Sequence, residues 1–189
     1  MSSNFDLTNI ETRKLDHLGL VSATCDSINL VGIIDSIVGT HPLQKITVGE
    51  VVKAMILNAL GFLYMPLYMY PQYLRDKAVD VLFRRPVEPD QFNQYTLCRA
   101  LDKLYEAGLD TIFMTVAIAV FKQFSITRKF LRIDTTTFSV YGSYNGYSEE
   151  LQEEPTPIKI TYGHPKNNRT DLKQFVLSLV MSGNIPLLA

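Results

Sequence analysis

The sequence is poor in the residues that most often build metal centres and redox chemistry. Its 189 residues hold two cysteines, Cys25 and Cys98, and three histidines, His17, His41 and His164. None of these falls in ligand-like spacing, so no zinc site is expected. Two isolated thiols fit reduced cysteines in a cytosolic protein, and the expected location is cytoplasmic. The amino terminus, Met-Ser-Ser-Asn-Phe-Asp, lacks the basic and apolar regions of a signal peptide. An excess of one charge is also missing. The net charge is −1, so no overall basic field points to a nucleic-acid partner. Nor does any apolar run reach the ~20 residues of a membrane helix. The most apolar stretch, Ala54 to Tyr70, is interrupted by Asn58 and Pro66, which makes it a buried helix rather than a span.

What is present is a globular composition, 47% hydrophobic against 20% charged, long enough for one domain or two small ones. Residues 1–16 are polar, and His17-Leu18-Gly19-Leu20-Val21 reads as a short strand or extended segment. A first helix is expected from Asp26, as N-cap, to Gly39, with Leu30, Ile33, Ile34, Ile37 and Val38 on one stripe. Thr47-Val48-Gly49-Glu50 is a capping box. The helix it opens is apolar nearly all round, through Leu60, Phe62 and Leu63, and belongs at the centre of a bundle. Pro66 and Pro71 end it. The tyrosines that follow (Tyr64, Tyr68, Tyr70, Tyr73) read as packing under a loop. Val79 to Phe92 is a connection with a short helical turn. A third helix turns Leu97, Ala100, Leu101, Leu104 and Tyr105 inward and stops before Gly108. Asp110 caps a fourth, and the short link between them predicts an antiparallel hairpin.

After Ser125 the period changes. Arg128 to Gly142 is rich in β-branched and aromatic residues and contains no proline, the pattern of a strand. Alternation puts Phe130, Arg132, Asp134 and Thr136 on one face, and Leu131, Ile133 and Thr135 on the other. Asp134 is thus a carboxylate in mid-strand beside apolar neighbours, a costly position unless it is solvated, paired or metal-bound. Lys122, Arg128, Lys129 and Arg132 form a local basic run, which is a solvated face or, beside a phosphodiester-processing carboxylate, a set of phosphate contacts. Gly142 to Pro157 is loop, and Ile158 to Tyr162 is a short strand. The run from Leu172 to Val180 fits a helical stripe by period. It equally fits a buried strand that turns at Ser182-Gly183-Asn184 into Ile185-Pro186-Leu187-Leu188.

Two blocks carry a family resemblance. They are Ile133-Asp134-Thr135-Thr136-Thr137-Phe138-Ser139 and, further on, Gly163-His164-Pro165-Lys166 with Arg169-Thr170-Asp171-Leu172-Lys173-Gln174. Together and in this order they resemble DDE transposases of bacterial insertion sequences, most closely the branch of the IS4 superfamily that begins with a helical domain. The resemblance implies an α+β chain: an all-α domain over residues 1–125, with DNA binding or dimerisation as its expected role, and the start of an RNase H-like sheet over residues 126–189. It favours the strand hairpin for the last segment. It implies Asp134 as a catalytic residue and ligand of Mg²⁺ or Mn²⁺, and Arg128, Lys129, Arg132, Lys166 and Arg169 as contacts to DNA. The partners implied are the terminal repeats and the target DNA, with a homodimer allowed and no membrane.

The chain departs from the family pattern in one respect. The second catalytic aspartate and the glutamate lie beyond the third strand in those enzymes, so this chain is expected to be a truncated front portion, inactive alone. Asp171 matches the Arg-x-Asp-Leu-Lys-Gln position and reads as a cap or turn residue. Glu149, Glu150, Glu153 and Glu154 lie in a loop without matching context. Two expectations therefore stand. One is a fragment of a DNA-cutting and DNA-joining enzyme. The other is a non-enzymatic helical module, binding DNA or a partner, with a vestigial catalytic segment.

Overall fold

The computed structural model describes residues 12–61, 65–126, 131–144, 158–164, 168–182 and 185–188. The chain divides into two compact units, Met1–Asp102 and Lys103–Ala189. Helices come first and an antiparallel sheet last, so the chain is α+β.

In the first unit, α1 (Leu18–Ser27) and α2 (Leu30–Val38) replace the single helix expected from Asp26. The segment 17–21, read as extended, is the start of α1. The two helices meet at a 56° bend around Asn29, whose left-handed backbone (φ 55°) is one that asparagine tolerates better than most residues. Asp26 is therefore in the last turn of α1 and caps nothing.

The capping box holds. Thr47 accepts from the Glu50 amide and the Glu50 carboxylate accepts from the Thr47 amide at 2.8 Å, opening α3 (Val48–Ala59). That helix is central, with Val48, Val51, Ala54 and Leu57 all buried. Gly49 lets it approach α2 closely: a Cβ there would stand 2.5 Å from the Val31 carbonyl oxygen. α3 stops at Ala59, earlier than its apolar run suggested, and Phe62, Leu63 and Tyr64 lie outside the described residues. Asn58, buried, bonds both the amide and the carbonyl of Met65 at 2.8 Å and so closes the following loop.

Two short helices, α4 (Tyr70–Leu74) and α5 (Val79–Phe83), pack on this core. The tyrosine cluster divides. Tyr70 and Tyr73 are buried and donate to the carbonyls of Ala54 and Leu57 on α3, whereas Tyr68 is exposed. A 3₁₀ turn over Pro89–Phe92 buries Phe92 against Phe83 and Tyr70. Asn93 then accepts from the Thr96 amide at the start of α6 (Gln94–Glu106). Leu97, Ala100 and Leu104 turn inward as expected, but Leu101 and Tyr105 stay exposed.

The boundary between the units falls inside α6, rather than at residue 125 where the period changes. α7 (Leu109–Gln123) groups with the sheet because it lies against the last strand. Its N-cap is Gly108, at φ 84°, and not Asp110, which sits in the first turn. That positive φ breaks the chain between α6 and α7, a conformation that glycine adopts without strain.

The sheet contains β1 (Leu131–Val140), β2 (Thr161–Tyr162), β3 (Lys173–Ser182) and β4 (Ile185–Leu188). β3 is central: β1 pairs along one edge, and β2 and β4 pair at opposite ends of the other. The last segment is thus a strand hairpin. Its helical period was produced by apolar residues placed on both sheet faces. Among the described residues no single helix is long and apolar enough to cross a membrane.

Candidate functional site

Asp134 stands fourth in β1, opposite Leu179 of β3. Partners across an antiparallel pair share a face. Arg132, Asp134, Thr136 and Phe138 therefore line up with Met181, Leu179, Leu177 and Phe175, the alternation read from the sequence. The rings of Phe138 and Phe175 stack with centroids 5.2 Å apart. Asp134 is exposed, and its Oδ1 accepts from the Thr135 amide at 2.9 Å. Arg132 is exposed on the same face, about 7 Å of strand away.

A Mg²⁺ or Mn²⁺ pair needs several oxygen ligands converging on one place. Asp134 brings one carboxylate, and its companions on that face are a guanidinium, a threonine and apolar side chains. Among the described residues no three His, Cys, Asp or Glu side chains come together to hold a metal ion. These residues by themselves do not fit the metal that the resemblance implies.

The second sequence block has a clear structural content. Arg169 donates through two nitrogens to both oxygens of Asp171, at 2.8 and 2.7 Å. This fork holds the Asp171 carboxyl below the ordinary carboxylate range and pushes the Arg169 guanidinium up. Asp171 is a turn residue, as expected. A phosphate reaching Arg169 has to displace it. Lys173 donates to the carbonyls of Ser143 and Tyr144, fastening the chain that leaves β1, and lies over the Tyr162 ring at 5.9 Å. Gln174 is buried near the start of β3, between β1 and β2. With its amide oxygen turned towards residues 163 and 164, it accepts from Gly163 and His164 at 3.2 and 3.1 Å. Lys173 and Gln174 thus join β3 to the two segments that flank it. The sequence placed these residues in a motif but did not say why they are needed. Polar side chains at the head of an apolar strand were the available signal.

Of the other proposed DNA contacts, Arg128, Lys129 and Lys166 lie outside the described residues, as do Glu149, Glu150, Glu153 and Glu154. Arg84 and Arg85 in the helical unit are engaged by acids: Arg84 meets Asp26 at 2.7 Å, and Arg85 grips Glu50 through two bonds of 2.6 and 2.8 Å. Arg99 is exposed and Lys103 half-buried, one turn apart on α6.

Sequence reasoning missed the charged centre of the helical unit. Lys53 is 2% exposed, donates to Asp26 at 2.5 Å and faces the Phe83 ring at 5.6 Å. Asp26 therefore bridges Lys53 and Arg84. Burial pushes the neighbouring Cys25 thiol up, against the pull of Lys53, which leaves it a poor nucleophile. A lysine in the middle of a mostly apolar helix was the sign of this network.

The comparisons bear on the helical part. Residues 10–118 match the family described as a domain of unknown function, DUF4277. That is more than half of the 189 residues. The chain belongs to this family. The DUF4277 region takes in every helix from α1 to α6 and most of α7, and ends before β1. Neither the curated proteins nor the solved structures yield a match.

Proposed function

We propose that this chain is the front portion of a DDE-type transposase, whose complete form cuts and joins DNA by phosphodiester transfer. The observation that carries the reading is the position of Asp134. It stands in mid-strand on β1, on a rigid element, next to the antiparallel strand that continues into the β3–β4 hairpin. Antiparallel pairing of β1 with β3, and of β3 with β4, supports this reading, because the resemblance implies that the β3 run is the second strand of an RNase H-like sheet. The two motif blocks are also neighbours in the sheet, where Gln174 pairs with Ser139. Arg132, exposed on the face of Asp134, is the residue expected to meet a backbone phosphate. Mg²⁺ or Mn²⁺ belongs to the complete enzyme, because the described residues bring a single carboxylate.

Reading the coding DNA beyond Ala189, in all three frames, tests this directly. A further strand with an aspartate and a helix with a glutamate are expected. Their absence from every frame would remove the enzyme reading. Supercoiled plasmid with Mn²⁺ gives the second test: the 189-residue chain is expected to leave it intact. Nicking that vanishes in Asp134→Ala would show a site more complete than proposed.

A second reading is favoured by the extent of the family match, which covers the helices and not the strands. In it the helical unit is a DNA- or partner-binding module, and the sheet is vestigial. DNA binding that is unchanged by Arg132→Ala and Asp134→Ala, together with empty downstream frames, would select it.

A further inference from the structure

We infer that the helical unit meets duplex DNA through the surface over the start of α3, with Lys45 and Arg84 as phosphate contacts and Arg85 as the residue that positions them. This rests on the DNA-binding role proposed above for the helical unit and adds the residues that carry it. Glu50 and Lys53 lie one turn apart on α3. Asp26 joins Lys53 to Arg84. Arg85 grips Glu50 through two bonds and donates to the Lys45 carbonyl at 2.7 Å, which fixes the backbone on both sides of the cluster.

Two features turn this cluster into a positive surface. The first is layering. Side-chain exposure is 21% for Asp26 against 69% for Arg84, and 9% for Glu50 against 40% for Arg85, so carboxylates lie beneath and guanidiniums on top. The Arg75–Asp90 pair has no such order, because both partners are exposed. The second is number. Four cations, Lys45, Lys53, Arg84 and Arg85, share the two carboxylates of Asp26 and Glu50, in a chain whose net charge is −1. Asp26 neutralises one of its two cations, and Lys53 is buried, so the excess charge reaches solvent at Arg84. Arg84 meets Asp26 through Nε at 2.7 Å, which leaves its terminal nitrogens for a phosphate. Lys45 is exposed. The nearest acids along the chain are turned to other partners: Asp80 meets Arg13 at 3.9 Å, and Glu88 caps the turn at Pro89–Phe92. A backbone of regularly spaced phosphates is the partner that such a surface fits.

Fluorescence anisotropy of the full 189-residue chain with a labelled DNA duplex of about 30 base pairs, from about 50 to about 200 mM salt, is the experiment. The parent is expected to bind with an affinity that falls steeply as salt rises. Lys45→Gln and Arg84→Gln are each expected to weaken binding about threefold or more and to lower the salt slope by about 1, and the double variant by about 2. Arg84→Lys keeps the charge and is expected to keep the slope. Arg75→Gln, in the pair exposed on both sides, is expected to bind like the parent. Circular dichroism accompanies each sample. Should Arg84→Gln unfold the chain, Lys45→Gln decides, because its side chain is exposed. A parent that leaves the duplex free, single variants with the parent's affinity and slope, or an equal loss in Arg75→Gln would each overturn the inference. The transposase reading is decided separately, by the coding DNA beyond Ala189.

Discussion

Lys53 and Asp134 are both charges set among apolar neighbours, and the two units of the chain treat them in opposite ways. The helical unit closes around Lys53. It supplies Asp26 at 2.5 Å and the Phe83 ring, while Arg84 takes the other side of Asp26. The sheet unit leaves Asp134 in water, together with Ile133 at 73% and Val176 at 60% exposure. A buried charge has to be paired where it stands, so Lys53 belongs to the fold. An exposed carboxylate on a rigid strand is available to something else. The contrast separates a unit that completes its own core from one that offers surface.

Core truncation should divide the units most strongly. Leu57→Ala in α3 removes a side chain with no exposure and is expected to cost about 3 kcal/mol. Leu179→Ala, on a half-buried position of β3, should cost less than about 1 kcal/mol. Urea denaturation of both variants measures this, and equal losses would erase the distinction. Lys53→Ala follows at about 3 kcal/mol, since it leaves a cavity and takes away one of the two cations that meet Asp26. Lys53→Met should recover at least half of that, because it fills the space and Arg84 still meets Asp26.

Smaller effects sharpen the same contrast. Thr47→Ala removes the cap of α3 and should cost about 1 kcal/mol, spread over the whole helical unit. Gln174→Ala should cost a similar ~1 kcal/mol, but hydrogen exchange should place its loss at residues 161–164 and 173–174 only. The smallest effect is electrostatic. Arg169 depresses the Asp171 carboxyl, so the contribution of this pair is present above the ordinary carboxylate range and fades as pH falls through the folded value. A carbon-detected NMR titration should find Asp171 below that range in the parent and back within it in Arg169→Ala.

Some of this was legible because the signal was local. Thr47 and Glu50 are three residues apart and satisfy each other, so the start of α3 needed no tertiary information. Alternation in β1 put Arg132, Asp134 and Thr136 on one face, and the register with β3 keeps them there. The errors came where a local signal had a competitor. Asp26 and Asp110 are good capping residues by type, yet Asn29 and Gly108 adopt the positive φ angles that break the chain nearby. Asp26 is then available for Lys53, 27 residues away.

The sequence by itself determined the order of helices and then strands, the α3 cap and the face of Asp134. These rest on periods of 3.6 and 2 and on contacts within a few residues. The tertiary structure decided the rest. Leu172 to Val180 satisfied both periods, and pairing with β1, β2 and β4 made it the central strand. Lys53, Asp26, Glu50 and the arginines Arg84 and Arg85 found partners across distances no window of sequence spans. Lys173 and Gln174 gained their roles only when the chain after β1 and the turn at Gly163 came within hydrogen-bonding reach. Burial and long-range pairing depend on which segments meet, and that is set by the packing of the whole unit.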